Sequence, residues 1–247
     1  AAKKGLTRPE IAIVMSYAKI WMYDELLASQ VPDDPWLEED LLEYFPTPLR
    51  KPYLKDIRAH RLRREIIATR ITNSMINRVG GTFISEYMEK TGKSAAQITL
   101  AYTITREVFK LRDLWQAIEK LDHRVPSRVQ AAMTLDINHL IEWVTLWFLR
   151  NVKAGLDIGP LVREFRDGIA TLSDGLGGSL PAHYMQDIKK RAEPYTSQGV
   201  PEALALRIAN LVNLYSACDI VRLANRCKLP VNDVSKIYFG IGTHFHL

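Results

Sequence analysis

Cysteine is scarce in this chain: of 247 residues only Cys218 and Cys227 carry a thiol. Two thiols can neither staple a disulfide-dense secreted scaffold nor fill a four-cysteine zinc site. A chain of this length buries enough apolar surface to hold a core without either device, and a reducing, cytoplasmic setting is expected. Long apolar runs are also missing. The greasiest stretch, Trp143 to Leu149, is seven residues between Glu142 and Arg150, well short of the roughly 18 of a membrane span. No membrane partner is expected. Metal-ligand spacing is absent as well. The six histidines, His60, His123, His139, His183, His244 and His246, include no His-Glu-x-x-His pair. The close pair His244 and His246 would point to different faces of a helix. Asp122-His123 reads as a helix end, and Asp136 with His139 as a polar face. There is no Gly-x-Ser-x-Gly elbow and no cysteine in the setting of a nucleophile. An initiator methionine is lacking, and Thr243 to Leu247 ends the chain inside an apolar pattern. Both ends are expected to be cuts in a longer polypeptide.

What is present is an ordinary globular composition, 47% apolar and 25% charged, with a net charge of +5. The location of that charge is more informative than its size. Residues 50–65 hold Arg50, Lys51, Lys55, Arg58, Arg61, Arg63 and Arg64 against Asp56 and Glu65, which is the whole of the excess. Just upstream, Asp33, Asp34, Glu38, Glu39, Asp40 and Glu43 stand with no basic residue among them. An acidic block beside a basic one predicts two helices that neutralise each other, whereas a nucleic-acid surface spreads positive charge over a face. Arg58, Arg61, Arg63 and Arg64 are the candidate contacts to another domain or to an anion. The competing reading is a helical anion- or nucleic-acid-binding module built on residues 50–65, with nucleic acid the less favoured partner.

Almost every apolar pattern has the helical period, and the fold class is all-α. Thr7-Arg8-Pro9-Glu10 is a capping box with proline in the first turn. Beyond it Ile11, Met15, Ala18, Met22 and Leu26 make one stripe, and Ile13, Tyr17, Ile20 and Leu27 a second. Apolar residues on two sides predict a buried helix. Asp34-Pro35 starts a short helix that ends before Pro46, Thr47-Pro48 and Pro52 open the basic one, and a break at His60 precedes a run to Arg78 closed by Gly80-Gly81. Thr82 caps a helix ended by Gly92, and Ser94-Ala95-Ala96-Gln97 is a second capping box. Ile98 to Thr105 alternates and is β-branched, as a strand would be, yet the cap before it and Tyr102, Val108 and Phe109 at helical spacing predict helix. Further helices are expected at 111–121, 126–149, 160–173, 181–192, 201–212, 215–227 and 231–245. Ile137, Leu140, Ile141, Val144, Trp147 and Phe148 form the broad apolar face of the long one.

An internal duplication of a three-helix unit is expected within this multi-helix bundle. Ala68 to Asn73 returns as Ala205 to Asn210, and Ile98, Tyr102, Phe109 and Leu111 are matched by Val234, Tyr238, Phe245 and Leu247. The copies would be 64–111 and 201–247. They would fall in two domains, an N-terminal one of residues 1–125 and a C-terminal one of residues 126–247 that begins with the long helix. Gly175 to Ser179 resembles a phosphate loop, but a helix precedes it where a dinucleotide fingerprint needs a strand, so an interhelical loop is expected. Asp219 to Tyr238 has the outline of a helix-turn-helix. Its second helix offers only Asn232, Asp233, Ser235 and Lys236 to a nucleic acid, and two packed bundle helices are the better reading.

Several strings are specific to one family. Gly5-Leu6-Thr7-Arg8-Pro9-Glu10, Tyr17-Ala18-Lys19, Leu62 to Ala68, Gly199 to Ala205 and Val231 to Gly242 resemble the C-terminal region of the large, multidomain NAD-specific glutamate dehydrogenases of bacteria. The resemblance implies a parent that interconverts L-glutamate with 2-oxoglutarate and ammonia, using NAD, as a large cytoplasmic homo-oligomer. It implies that the nucleotide- and glutamate-binding elements lie upstream of Ala1. The Gly-Gly-x-Lys pattern of the glutamate site is missing, since Thr82-Phe83 follows Gly80-Gly81 and Ser179-Leu180 follows Gly177-Gly178. No catalytic, cofactor or metal residue is therefore carried over, and no cofactor is expected on this segment. The expected partners are the catalytic domain of the same chain and neighbouring subunits. The expected role is structural, oligomerisation or regulatory.

Overall fold

The computed structural model describes residues 5–174 and 180–245, all helix, turn and loop, with no strand among them. The all-α expectation holds. Two compact units interleave along the sequence: Ala1–Thr103 with Phe148–Gly159, and Ile104–Trp147 with Pro160–Leu247.

The first unit opens with α1 (Arg8–Leu27), whose capping box forms as expected: the Thr7 backbone N–H and hydroxyl both donate to the Glu10 carboxylate, each at 2.7 Å. That carboxylate is held below its usual pKa by the Thr7 N–H. Asp34 takes the N–H of Trp36 and starts a 3-10 turn, followed by α2 (Glu38–Tyr44). The basic segment is not one helix. Its prolines cut it into α3 (Thr47–Arg50) and α4 (Leu54–Arg58), and the break near His60 precedes α5 (Arg63–Val79). There the His60 Nδ1 accepts the Leu62 N–H. Gly80, at φ +92°, ends α5, a conformation glycine reaches without strain. α6 (Phe83–Thr91) ends at left-handed Gly92. The Ser94–Gln97 box then opens α7 (Ala95–Val108), so the alternating segment is helical. Met22, Leu26, Ile67, Ile71 and Met75 are fully buried and centre this unit where α1 packs on α5.

One expectation fails here. The two apolar stripes of α1 predicted burial, yet only Met22 and Leu26 are buried, while Ile11, Ile13, Val14, Tyr17, Ile20 and Trp21 are exposed. The first stripe is buried only toward its C-terminal end, at Met22 and Leu26, where α1 packs on α5, while Ile11 at its start and Ile13, Tyr17 and Ile20 of the second stripe meet solvent.

The remaining helices are α8 (Leu111–Glu119), α9 (Ser127–Asn151), α10 (Ile158–Asp174), α11 (Ala182–Thr196), α12 (Glu202–Asn210), α13 (Ala217–Cys227) and α14 (Val231–Phe245). The apolar face read for α9 is buried at Ile137, Leu140, Ile141, Val144 and Phe148. Within the second unit α10 and α13 touch at Gly168, where an added Cβ would lie 2.7 Å from Val221. A 3-10 turn, Leu211–Ser216, joins α12 to α13 into a helical stretch, Glu202–Cys227, that is long and apolar enough to cross a membrane. Its Leu204, Ala205, Ile208, Ile220 and Val221 are instead buried in the protein.

The duplication is not confirmed. The first copy is broken at Gly80, whereas the second runs from α12 into α13 with no such break. Tyr102 is fully buried and hydrogen-bonded to Ser74 at 2.9 Å, whereas Tyr238 is exposed. Matched positions such as Ala68 and Ala205, or Ile71 and Ile208, are all buried, as recurring apolar positions on any core-facing helix would be.

Candidate functional site

The basic segment meets the acidic one inside the first unit. Arg58 pairs with Glu38 at 2.7 Å, Arg64 pairs with Asp33, and Arg70 with Glu43. Arg64 does more than pair. Its second terminal nitrogen donates to the carbonyls of Leu27 and Ser29 at 2.8 and 2.9 Å, capping the C-terminal end of α1, where the helix dipole favours a cation. Arg50 likewise donates to the carbonyls of Phe45 and Glu43. Of the four arginines singled out from the sequence, two are thus drawn to different acidic partners. Arg61 is exposed and Arg63 half-buried, neither with an ion pair among the described residues. Exposed pairs of this kind contribute about 0.2–1 kcal/mol each, but Arg64 also ties α1, the acidic turn and α5 together. Replacing Arg64 by alanine is expected to cost about 1–2 kcal/mol, read by urea unfolding, because two carbonyls at a helix end lose their donor. Arg61→Ala should cost less than about 0.5 kcal/mol.

In the second unit Glu107 is buried with Arg106, its Oε1 accepting from Arg106 Nε at 2.9 Å. Arg166 donates to its other oxygen at 3.2 Å, and Arg112 Nε lies 3.5 Å away. This cluster binds α7, α8 and α10 rather than facing a cleft. A separate cleft of about 370 Å³ is lined by Asp136, His139, Arg191, Tyr195 and Tyr215, with Ile208 and Val212 on its apolar wall. The Tyr195 hydroxyl donates to Asp136 at 2.6 Å. Burial, then that hydrogen bond, raises its pKa, so it stays a neutral donor. Tyr215 is also raised, chiefly by burial, and stacks on Trp143. The polar face read at Asp136 and His139 therefore does line a recess, through Tyr195 and Arg191, which no local spacing signals.

Other residues singled out from the sequence stay apart. Asp122 and His123 form an exposed turn after α8, His123 at φ +58°. Among the described residues no three His, Cys, Asp or Glu side chains gather as a metal site. Burial raises the Cys218 thiol well above its ordinary pKa, which makes it an inert core residue. Ser235, one of four side chains a helix-turn-helix would offer, is buried, and α14 shows Ile237, Tyr238 and Ile241 to solvent. Gly175 to Ser179 and His246 lie outside the described residues, and so does the side chain of His244.

The most distinctive exposed surface is on α1. Ile13, Tyr17 and Ile20 are 57%, 70% and 58% exposed, and Val14 and Trp21 extend the same helix surface. Three to four apolar residues per two turns on a solvent face mark a surface made to be covered. The sequence shows both apolar stripes but not which one α5 takes.

The sequence profile of the family described as glutamate dehydrogenase, C-terminal, matches residues 3–247. An NAD-specific glutamate dehydrogenase of Halomonas elongata is 35% identical over 244 residues, 99% of this chain and 15% of that protein. One from Pseudomonas aeruginosa is 36% identical over 247 residues, the whole of this chain and 15% of its own length. One from Mycobacterium tuberculosis is 30% identical over 237 residues, 96% of this chain and 14% of that protein. The chain thus spans about one-seventh of the relatives it matches. With its helical fold and a profile match over nearly its whole length, the chain belongs to the family of glutamate dehydrogenase C-terminal regions.

Proposed function

We propose that this chain is a non-catalytic helical appendage of an NAD-dependent glutamate dehydrogenase, docked through α1 on the preceding region of the same polypeptide. The parent would convert L-glutamate, NAD and water to 2-oxoglutarate, ammonia and NADH, as a cytoplasmic homo-oligomer. The carrying observation is the exposed apolar face Ile13, Tyr17, Ile20 with Val14 and Trp21. Some 85% of each matched dehydrogenase lies outside the matched region, which supplies an occupant for that face in the proposed parent. α1 is the first helix of the chain, so in the proposed parent it would adjoin the region that precedes it. Each large apolar side chain contributes about 1.5–3 kcal/mol when buried, so a few suffice to hold a domain in place. The anion- or nucleic-acid reading of residues 50–65 is less well supported, because Arg58 and Arg64 already serve Glu38 and Asp33.

The test substitutes Ile13→Asp together with Ile20→Asp. In the 247-residue chain these exposed positions should change stability by less than about 0.5 kcal/mol each. In the full-length dehydrogenase the same pair should lower the melting temperature and open the region around residue 5 to protease. A full-length protein indifferent to both substitutions would overturn the docking reading. Glutamate-dependent NADH formation by the isolated chain would overturn the non-catalytic one.

A further inference from the structure

A second basic region escapes the charge count along the sequence because its members lie far apart in it. Lys90, Thr91 and Lys93 follow one another at the end of α6, and Leu149, Arg150, Val152 and Lys153 at the end of α9. All of them belong to the first unit and line one cleft of about 510 Å³. Four cations therefore share a recess. Lys90 has Glu86 at 3.6 Å and lies over the Tyr87 ring. Lys93, Arg150 and Lys153 have no acidic partner within ion-pair distance among the described residues. This is the reverse of Arg58, Arg64 and Arg70, each of which has found a carboxylate.

Helix ends explain half of the cluster. The last carbonyls of α6 and α9 favour a cation in the final turn, where Lys90 and Arg150 sit. That attraction falls off within a turn, and Lys93 and Lys153 stand beyond both ends. Thr91 holds the first of these in place: its hydroxyl donates to the Tyr87 carbonyl and accepts the Lys93 N–H at 3.3 Å. Like charges gathered in one concave recess repel unless an anion joins them, and a concave wall strengthens the field that anion meets.

We propose that this cleft binds a small, multiply charged phosphate anion of the di- or triphosphate class. Lys93, Arg150 and Lys153 contact it and Lys90 closes the rim. Arg150 supplies the planar fork that matches two phosphate oxygens, and the lysines act as point charges. Leu149, which is buried, and Val152, which is half-buried, are the apolar part of the lining. The site does not depend on the docking of α1.

The test is calorimetric titration, at about 50 mM salt where screening is weak, of inorganic tripolyphosphate and of ATP. It uses the full-length polypeptide and the 247-residue chain, each as wild type, Lys93→Glu/Lys153→Glu and Lys93→Arg/Lys153→Arg, with circular dichroism as the check on folding. The expected result is one site per chain, weakened at least about tenfold by the glutamate pair and changed less than about threefold by the arginine pair. In the full-length protein, where other sites take phosphate, the difference between wild type and the glutamate pair is the quantity read. Equal affinity for the two probes would assign recognition to the phosphate chain. Tighter binding of ATP would place its base on the apolar part of the lining, at Val152. Either outcome supports the site. No heat with either probe, or binding indifferent to the glutamate pair, overturns it. So does duplex DNA that binds more tightly than both probes and is lost with the same pair, which would make the cleft a portion of a nucleic-acid surface.

Discussion

Replacing Glu107 by alanine is expected to destabilise the second unit by about 3–5 kcal/mol, the cost of breaking a buried ion pair by removing one partner. Glu107 and Arg106 are 6% and 2% exposed, and one carboxylate there receives Arg106 at 2.9 Å and Arg166 at 3.2 Å, with Arg112 at 3.5 Å. Without it, guanidiniums gathered from α7, α8 and α10 lose a shared anion in a region with little water to replace it. Arg166 also donates to the Glu107 carbonyl at 3.3 Å, a bond that survives the substitution and limits the loss. Glu107→Gln keeps the shape and one acceptor, and should fall between alanine and wild type. The measurement is urea unfolding followed by tryptophan fluorescence, since Trp115, Trp143 and Trp147 all lie in this unit. A loss below about 1 kcal/mol would show the cluster behaving as an exposed surface pair does.

Gly168→Leu is expected to cost about 3 kcal/mol by overpacking the contact between α10 and α13. A Cβ at Gly168 would meet the two Val221 methyls at 2.7 and 3.0 Å, and valine has little χ1 freedom with which to withdraw. The alanine variant decides between two effects. Helix propensity favours alanine over glycine by about 1 kcal/mol. The clash opposes it, and Gly168→Ala should be destabilising by about 1 kcal/mol net. Val221→Ala removes the obstructing methyls, so it should cost less in the Gly168→Ala background than in the wild type. The coupling expected from that double-mutant cycle is about 1–2 kcal/mol. Additive effects would mean that the helices separate freely and that Gly168 is no contact point.

The helices were legible because their punctuation is local. A threonine followed three residues later by glutamate, a serine by glutamine, and glycines at 80 and 92 each act within one turn of backbone, and each does in the structure what its chemistry dictates. The same locality exposed the limit at Ile98 to Thr105, where propensity leaned toward strand and the cap decided for helix. The match of acidic and basic blocks was readable as well, because they lie so near in sequence that few folds could keep them apart. Which carboxylate takes which arginine was not.

Residue order was enough to dictate an all-α chain, the ends of most helices, the family, and the charge segregation of residues 33–65. Packing was needed to settle that α1 presents the C-terminal end of one apolar stripe to α5 and leaves Ile13, Tyr17 and Ile20 in solvent. A 3.6-residue period records that a face is apolar and says nothing about whether the partner is within the chain or outside it. Packing also settled that Lys93 and Lys153 share a cleft, that Asp136 meets Tyr195, and that Glu107 gathers arginines from three helices. These groups are brought together over separations that leave no periodicity in the sequence, because the apolar contacts that fix the helices are non-directional while the polar geometry they impose is not.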